Sequence, residues 1–174
     1  MKLTLIVAAD KNFGIGINGD MLFYISDDLN RFKELTTNNI IIMGRGTFEA
    51  LPNSKELPER INIILSSKNI ETSTGIVVDS IGNLQRKLQE INPKNEKEEF
   101  LIGGGNLIKN LWSSIDRALI TIVDKAYTNV DTYIPNIFED KDFEIVKISK
   151  ERYDEKNRFY YKYYEFKRIK DVSL

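Results

Sequence analysis

The chain has 174 residues, carries 25 Lys and Arg against 26 Asp and Glu, and contains neither cysteine nor histidine. This length suits one domain with a sizeable core, and a balanced charge without a basic cluster argues against a nucleic-acid partner. The two absences remove disulfides, thiolate nucleophiles, cysteine or histidine metal sites and every Ser-His-Asp arrangement, so no metal is expected and acid–base work falls to carboxylate, Lys, Tyr, water or a cofactor.

Leu3 to Ala9 is a near-continuous apolar run of strand length, as are Ile40 to Met43, Ile61 to Leu65 and Phe100 to Ile102. Continuous runs predict strands covered on both faces, as in a parallel sheet. After the first, Gly14-Ile15-Gly16-Ile17-Asn18-Gly19 fits G-x-G-x-x-G, but the sequel argues against a dinucleotide fold. Asp20 to Tyr24 has no helical stripe, no cap precedes Ser26, and no acidic residue ends a second strand at the required distance. Residues 14–24 read instead as a long mobile loop that closes over a ligand.

Residues 26–36 read as a helix capped by Ser26 or Asp27. At about 100° per residue, Asp28, Phe32 and Leu35 share one face, and Asp27, Asn30, Arg31 and Glu34 share the other. A carboxylate on an apolar face is costly unless a partner compensates it, which makes Asp28 a candidate for chemistry.

Gly44-Arg45-Gly46-Thr47 leads from the second apolar strand into a short helix, Thr47 to Leu51. A guanidinium and a hydroxyl at a helix N-terminus form a phosphate site; Thr47 as a plain N-cap is the alternative. Ser66-Ser67-Lys68 ends the next strand. If those two strands are neighbours, the two loops together can hold the extra phosphate of NADP. Ser80 to Ile91 reads as a helix with Ile81, Leu84, Leu88 and Ile91 on one face and Pro93 beyond its end. Residues 92–99 read as a solvated connector. Gly103-Gly104-Gly105 then separates a strand from a short helix, Leu107 to Trp112. Either it brings backbone close to a ligand's phosphate, or it is a tight turn.

Phe143 begins an alternating strand whose phase shifts at Val146 and Ile148, the mark of a bulge. Arg158 to Phe166 reads as an aromatic-rich strand, paired antiparallel with it across a loop near Glu155 to Asn157. Asp171 to Leu174 reads as a frayed tail. The expected fold is α/β, a mostly parallel central sheet with an antiparallel C-terminal edge strand, in a single domain over residues 1–174. No signal peptide, bilayer-length apolar stretch or internal repeat is legible, so a cytoplasmic monomer without membrane or nucleic-acid partners is expected.

In this order the pieces resemble dihydrofolate reductase of the bacterial type. The resemblance rests on Ala8-Ala9-Asp10 with Gly14-Ile15-Gly16; Asp27-Asp28-Leu29 with Phe32-Lys33; Ile41 to Arg45 with Thr47-Phe48-Glu49; Leu57-Pro58 with Arg60 and Asn62 to Ser66; Ile102 to Gly105; and Thr121 with Asp131-Thr132 and Pro135. It implies a three-layer fold and NADPH-dependent reduction of 7,8-dihydrofolate to tetrahydrofolate, with hydride passing to carbon 6 of the pterin and a proton to nitrogen 5. It makes Asp28 the pterin-binding carboxylate, promoting protonation that water delivers, with Thr121 bonded to it or to its linked water. The helix N-terminus favours the Asp28 anion and burial its neutral acid. Ile6, Ala8, Leu29, Phe32, Leu51, Leu57 and Ile102 would line the substrate pocket, and Arg60 would clamp the glutamate tail's α-carboxylate.

For the cofactor the resemblance implies Ala8, Ile15, Gly103, Gly104, Gly105, Asn106, Leu107 and Ile108 around the nicotinamide and diphosphate. Thr47 would hold the diphosphate, Arg45, Ser66 and Lys68 the 2′-phosphate, with Gly44, Leu65 and Ser67 also at the cofactor, and Gly103-Gly104 would be a cis peptide. Four positions depart from the family: Leu22-Phe23 for a common Pro-Trp, Ile108 for a common Tyr, and Gly46 for a common His or Lys. Antifolates are expected as ligands, and Phe23, Ile108 and Leu51 predict weakened trimethoprim binding. The rival readings are a related pyrimidine reductase of riboflavin synthesis and a noncatalytic pterin- or nucleotide-binding module. Fusion to thymidylate synthase is not expected.

Overall fold

Residues 1–170 are described by a computed structural model; the tail at Asp171 to Leu174 lies outside them. In chain order the elements are β1 (Leu3–Ala9), β2 (Gly14–Ile17), β3 (Asp20–Met21), α1 (Ser26–Thr36), β4 (Ile40–Gly44), α2 (Arg45–Ala50), β5 (Ile61–Leu65), β6 (Ile76–Val78), α3 (Ile81–Ile91), β7 (Glu99–Gly103), α4 (Gly105–Asn110), β8 (Ile115–Val123), β9 (Thr132–Tyr133), β10 (Phe143–Ile148), β11 (Arg152–Asp154) and β12 (Phe159–Arg168).

The large sheet runs β10-β12-β8-β1-β7-β4-β5-β6, with β11 also on β12. From β8 to β6 every pairing is parallel, and β12 adds an antiparallel edge. The continuous apolar runs are explained by two cores. Alternate residues of each strand point to opposite faces. Ile40 and Ile42 of β4, Ile63 of β5 and Leu101 of β7 enter one cluster with Leu84 and Leu88 of α3 and Leu107 and Ile108 of α4. Ile41, Met43, Ile64 and Phe100 enter a second, covered by Phe32 and Leu35 of α1 and Phe48 of α2. Helices therefore cover both faces of the sheet, giving the expected three layers.

Several boundaries differ from the sequence reading. Helix α1 has Ile25, not Ser26 or Asp27, at its N-cap, with no side-chain cap bond. Ile25 is 2% exposed and packs with Phe23, Val123, Phe159 and Tyr161, so burial of an apolar side chain outweighs capping chemistry there. The two aspartates lie in the first turn instead, where the helix dipole favours them. Helix α2 opens at Arg45 on an extended Gly44, so Thr47 is not its cap. Helix α4 opens at Gly105 rather than Leu107. Helix α3 behaves as read: Ser80 caps it by accepting the Asn83 N–H at 3.1 Å.

Gly14–Ile17 is not loop. It pairs antiparallel with β3 and β9 in a small second sheet. Nor is 92–99 wholly solvated: Asn92 is buried and donates to Lys97 O and to Glu99 Oε1, both at 2.9 Å. The bulge at Val146 is present, since Ile145 faces Phe166 and Lys147 faces Glu165. The short strand β11 was not legible, and it carries the antiparallel arm on to the turn near residues 155–158.

Candidate active site

Helix α1 and strand β8 meet where the second core opens. Thr121, 2% exposed on β8, donates its hydroxyl to Asp28 Oδ1 at 2.5 Å. Asp28 is half-buried, and burial pushes its carboxyl above the ordinary range. The Thr121 bond and the Arg31 charge pull the other way without overcoming it. Burial thus outweighs the Thr121 bond and the Arg31 charge in setting the proton affinity of this acid.

Beside this pair, Ile6, Phe32, Leu51, Leu57 and Ile102 share one apolar cluster, while Ala8 joins Phe23, Tyr127 and Tyr163 in another. Leu29 stands apart, 42% exposed. Arg31 does not point freely to water as the helical wheel implied. Its guanidinium lies 4.2 Å from the Tyr163 ring centre, and Tyr163 is the cross-strand neighbour of Thr121. Tyr163 was missed in the sequence; burial, with the nearby Asp28 charge, pushes its phenol upward.

Arg60 is half-buried against the end of α1. Its Nε donates to Pro58 O at 2.8 Å and its Nη1 to Thr36 Oγ1 at 3.3 Å. The segment that presents it is pinned by Asn62, 2% exposed, which accepts Leu57 N–H at 3.0 Å and donates to Leu57 O and Arg60 O at 2.9 and 3.0 Å. The available signal was a polar residue inside an otherwise apolar strand.

The two phosphate loops are neighbours as expected, because Gly44 is in register with Leu65. Arg45 and Ser66 therefore leave adjacent strand ends. Arg45 pairs with Glu49 at 3.1 Å, an exposed i,i+4 contact worth only about 0.3–0.5 kcal/mol, so little holds the guanidinium from an anion. Ser66 is buried, its hydroxyl donating to Lys68 O at 2.9 Å and accepting Lys68 N–H at 3.1 Å. Ser67 and Lys68 are exposed on a cleft of about 650 Å³.

Gly103-Gly104 is a cis peptide, and Gly103 has φ 147°. A Cβ on Gly103 would lie 3.0 Å from Thr47 Oγ1, and one on Gly104 3.4 Å from it. The bare backbone and the Thr47 hydroxyl leave a cradle that a side chain would fill, and in this respect the residues fit a diphosphate. Gly105 is confined differently: its Cβ would strike Thr132 Cγ2 at 2.5 Å. Asn106 is exposed, but Leu107 and Ile108 sit in the main core at 5% and 0% exposure. They pack behind the glycine turn. Phe23, at 5% exposure, stacks on Tyr127 and meets Phe159 edge-on. Phe23 and Ile108 thus offer little surface of their own.

The 14–24 segment is tied at both ends. Asp10, 1% exposed, accepts the Asn12, Gly14 and Tyr127 N–H groups at 2.9, 2.8 and 3.0 Å. Asp131 accepts Asn18 N–H at 2.8 Å, and Asn157 donates to Tyr24 O at 2.7 Å. Ile15 packs against the main core. Among the described residues no cluster of potential metal ligands is found.

The sequence profile of dihydrofolate reductase matches residues 2–168. A dihydrofolate reductase of Aedes albopictus is 34% identical, the alignment covering 97% of this chain and 98% of the relative. One from Buchnera aphidicola subsp. Baizongia pistaciae is also 34% identical, covering 97% and 99%. Among solved structures, dihydrofolate reductase from Enterococcus faecalis complexed with NADP(H) and RAB-propyl superposes with a TM-score of 0.82 at 27% identity, covering 97% of each chain.

Proposed function

The chain belongs to the dihydrofolate reductase family, and from that premise we propose how its own residues, as one domain over 1–174, serve the reaction. It catalyses NADPH-dependent reduction of 7,8-dihydrofolate to tetrahydrofolate. The observation that carries the reading is a carboxylate on an apolar helix face, bonded to a buried threonine, in a chain without histidine or cysteine.

Asp28 binds the pterin's 2-amino group and ring nitrogen 3, with Thr121 fixing the carboxylate's rotamer. Its raised proton affinity makes it an anchor that eases protonation of the substrate, while water delivers the proton to nitrogen 5. Ile6, Ala8, Phe32, Leu51, Leu57 and Ile102 line the apolar walls and exclude water around the reacting ring. Leu29 contributes only from the solvent side. Arg60 clamps the glutamate tail's α-carboxylate, where a planar fork suits bidentate binding.

NADPH, when bound, supplies the hydride. Gly44, Thr47 and the Gly103 to Gly105 turn hold its diphosphate, with Asn106 at the exposed rim and Ile15 and Ala8 toward the nicotinamide. Arg45, Ser66, Ser67 and Lys68, beyond Leu65, hold the 2′-phosphate. The chain acts as a monomer on small molecules in the cytoplasm, antifolates among its ligands. No helix among the described residues is long and apolar enough to cross a membrane.

Loss of absorbance at 340 nm with purified protein, NADPH and dihydrofolate tests the reading. An inactive wild type overturns it, and turnover of a riboflavin-pathway pyrimidine instead favours the rival reductase. Arg60→Ala is expected to raise KM for dihydrofolate on the order of tenfold with kcat nearly kept, as loss of uniform binding requires. A kcat loss at unchanged KM would contradict the clamp. Arg45→Ala is expected to weaken NADPH more than NADH in direct binding; equal weakening would shift the phosphate role to Lys68.

A further inference from the structure

Three adjacent parallel strands end side by side at the cofactor cleft. Gly44 is in register with Leu65, and Leu65 with Val78. The residues that follow are Arg45, Ser66 and Asp79. Ser66 N–H donates to Val78 O at 2.9 Å, so the chain reaching Asp79 runs directly beside the buried serine. Asp79 is exposed and lines the same cleft of about 650 Å³ as Ser66, Ser67 and Lys68. The cleft carries the cations Lys68, Arg86 and Lys87 and two carboxylates, Asp79 and Glu90; Glu90 pairs with Lys87 at 2.9 Å, and Asp79 is the one that stands beside Ser66.

We propose that Asp79 is a specificity-determining residue that opposes the 2′-phosphate and narrows this chain's preference for NADPH over NADH. The proposal rests on the reading that Arg45, Ser66 and Lys68 hold that phosphate. Asp79 is held in place from α3: it accepts a hydrogen bond from Asn83 Nδ2, and Asn83 Oδ1 in turn accepts one from Arg86. These bonds favour the carboxylate form, and the Asn83 bond, foremost, keeps it below the ordinary range. Asp79 is therefore an anion wherever the enzyme works. Strands in a sheet stand about 4.8 Å apart, so the carboxylate and a phosphate seated at Ser66 lie well within one Debye length of about 8–10 Å. NADH carries no such phosphate and feels no such repulsion. The competing explanation is that Asp79 merely complements the α3 N-terminus ahead of its Ser80 cap; that role would alter helix stability and leave dinucleotide choice untouched.

Calorimetric titration of the full chain with NADPH, NADH and 2′,5′-ADP separates the two. For Asp79→Asn, the ratio of the NADH to the NADPH dissociation constant is expected to rise on the order of five-fold. Asp79→Lys should raise it further, and 2′,5′-ADP should tighten in parallel. The gain should shrink between 10 mM and 1 M salt, as the Debye length falls from about 30 to about 3 Å. An unchanged ratio, or equal changes for both dinucleotides, overturns the proposal. Lys68→Ala and Arg45→Ala locate any failure. If neither weakens 2′,5′-ADP, the phosphate site itself is misplaced and the role of Asp79 falls with it. If both weaken it while the Asp79 variants do nothing, the phosphate site stands and the Asp79 proposal alone is wrong.

Discussion

Asp28→Asn is expected to lower kcat/KM by roughly 10²–10⁴-fold while making the folded protein more stable at neutral pH. Asparagine keeps an oxygen to accept the Thr121 hydroxyl, so geometry is retained and only the ionisable group is lost. The stability half follows from linkage. The folded carboxyl has a raised pKa, above an unfolded value of about 3.9. A raised carboxyl costs nothing at pH below both values. As pH climbs through the interval between them, the unfolded chain releases its proton first and wild type loses stability. Above the folded pKa the penalty is complete, and Asp28→Asn escapes it. Urea unfolding from pH 3 to pH 8 should therefore show the two proteins diverging upward in favour of the variant. Full activity of Asp28→Asn at neutral pH would sink the anchor mechanism. A variant less stable than wild type at neutral pH would show that burial does not dominate this carboxyl.

Asp10→Ala is expected to cost about 3 kcal/mol or more of folding stability. Its carboxylate is buried and accepts three backbone N–H groups, from Asn12, Gly14 and Tyr127. Hydrogen bonds to a charged group contribute about 1.5–3 kcal/mol each, and a buried donor left without a partner costs about 1–3 kcal/mol. These terms overlap, and the Asn12 amide can turn to water, so the lower figure is the safer one. Gly14 has no such escape: it is buried, with Val130 Cγ1 2.8 Å from where a Cβ would stand. The same three bonds join the end of β1, the start of β2 and the segment after β8. Asp10→Ala should therefore also weaken dinucleotide binding through the displaced 14–24 segment. A urea midpoint within experimental error of wild type would remove both expectations.

The central strands were legible because β4, β5 and β7 are apolar on both faces, which is what two cores demand. Asp28 was legible because a helical wheel needs only spacing. Arg31 was not, because nothing local reveals that Tyr163, on a strand far along the chain, offers its ring at 4.2 Å. The cap of α1 was misread because Ile25 answers to a cluster built from Val123, Phe159 and Tyr161. Strand β2 looked like loop because glycines carry no periodicity; its pairing with Thr132 and Tyr133 lies in another part of the chain. Likewise Ile108 was assigned by position alone, and only packing reveals that its side chain turns into the core. The local rules worked where one segment decided the outcome, and failed where a distant segment did.

The bulge at Val146 bears on strand addition at the edge of the sheet. Strand β10 is an open edge, and Ile145, Val146 and Ile148 are 43%, 48% and 51% exposed there. An unbroken edge with that sequence would offer a template for strand addition by a second molecule. The register shift between Ile145 and Lys147 twists the edge and sets a charge among the apolar residues. At the far edge, β6 is only three residues long. Both margins of the sheet are thus blunted against edge-to-edge polymerisation, one by brevity and the other by a single extra residue.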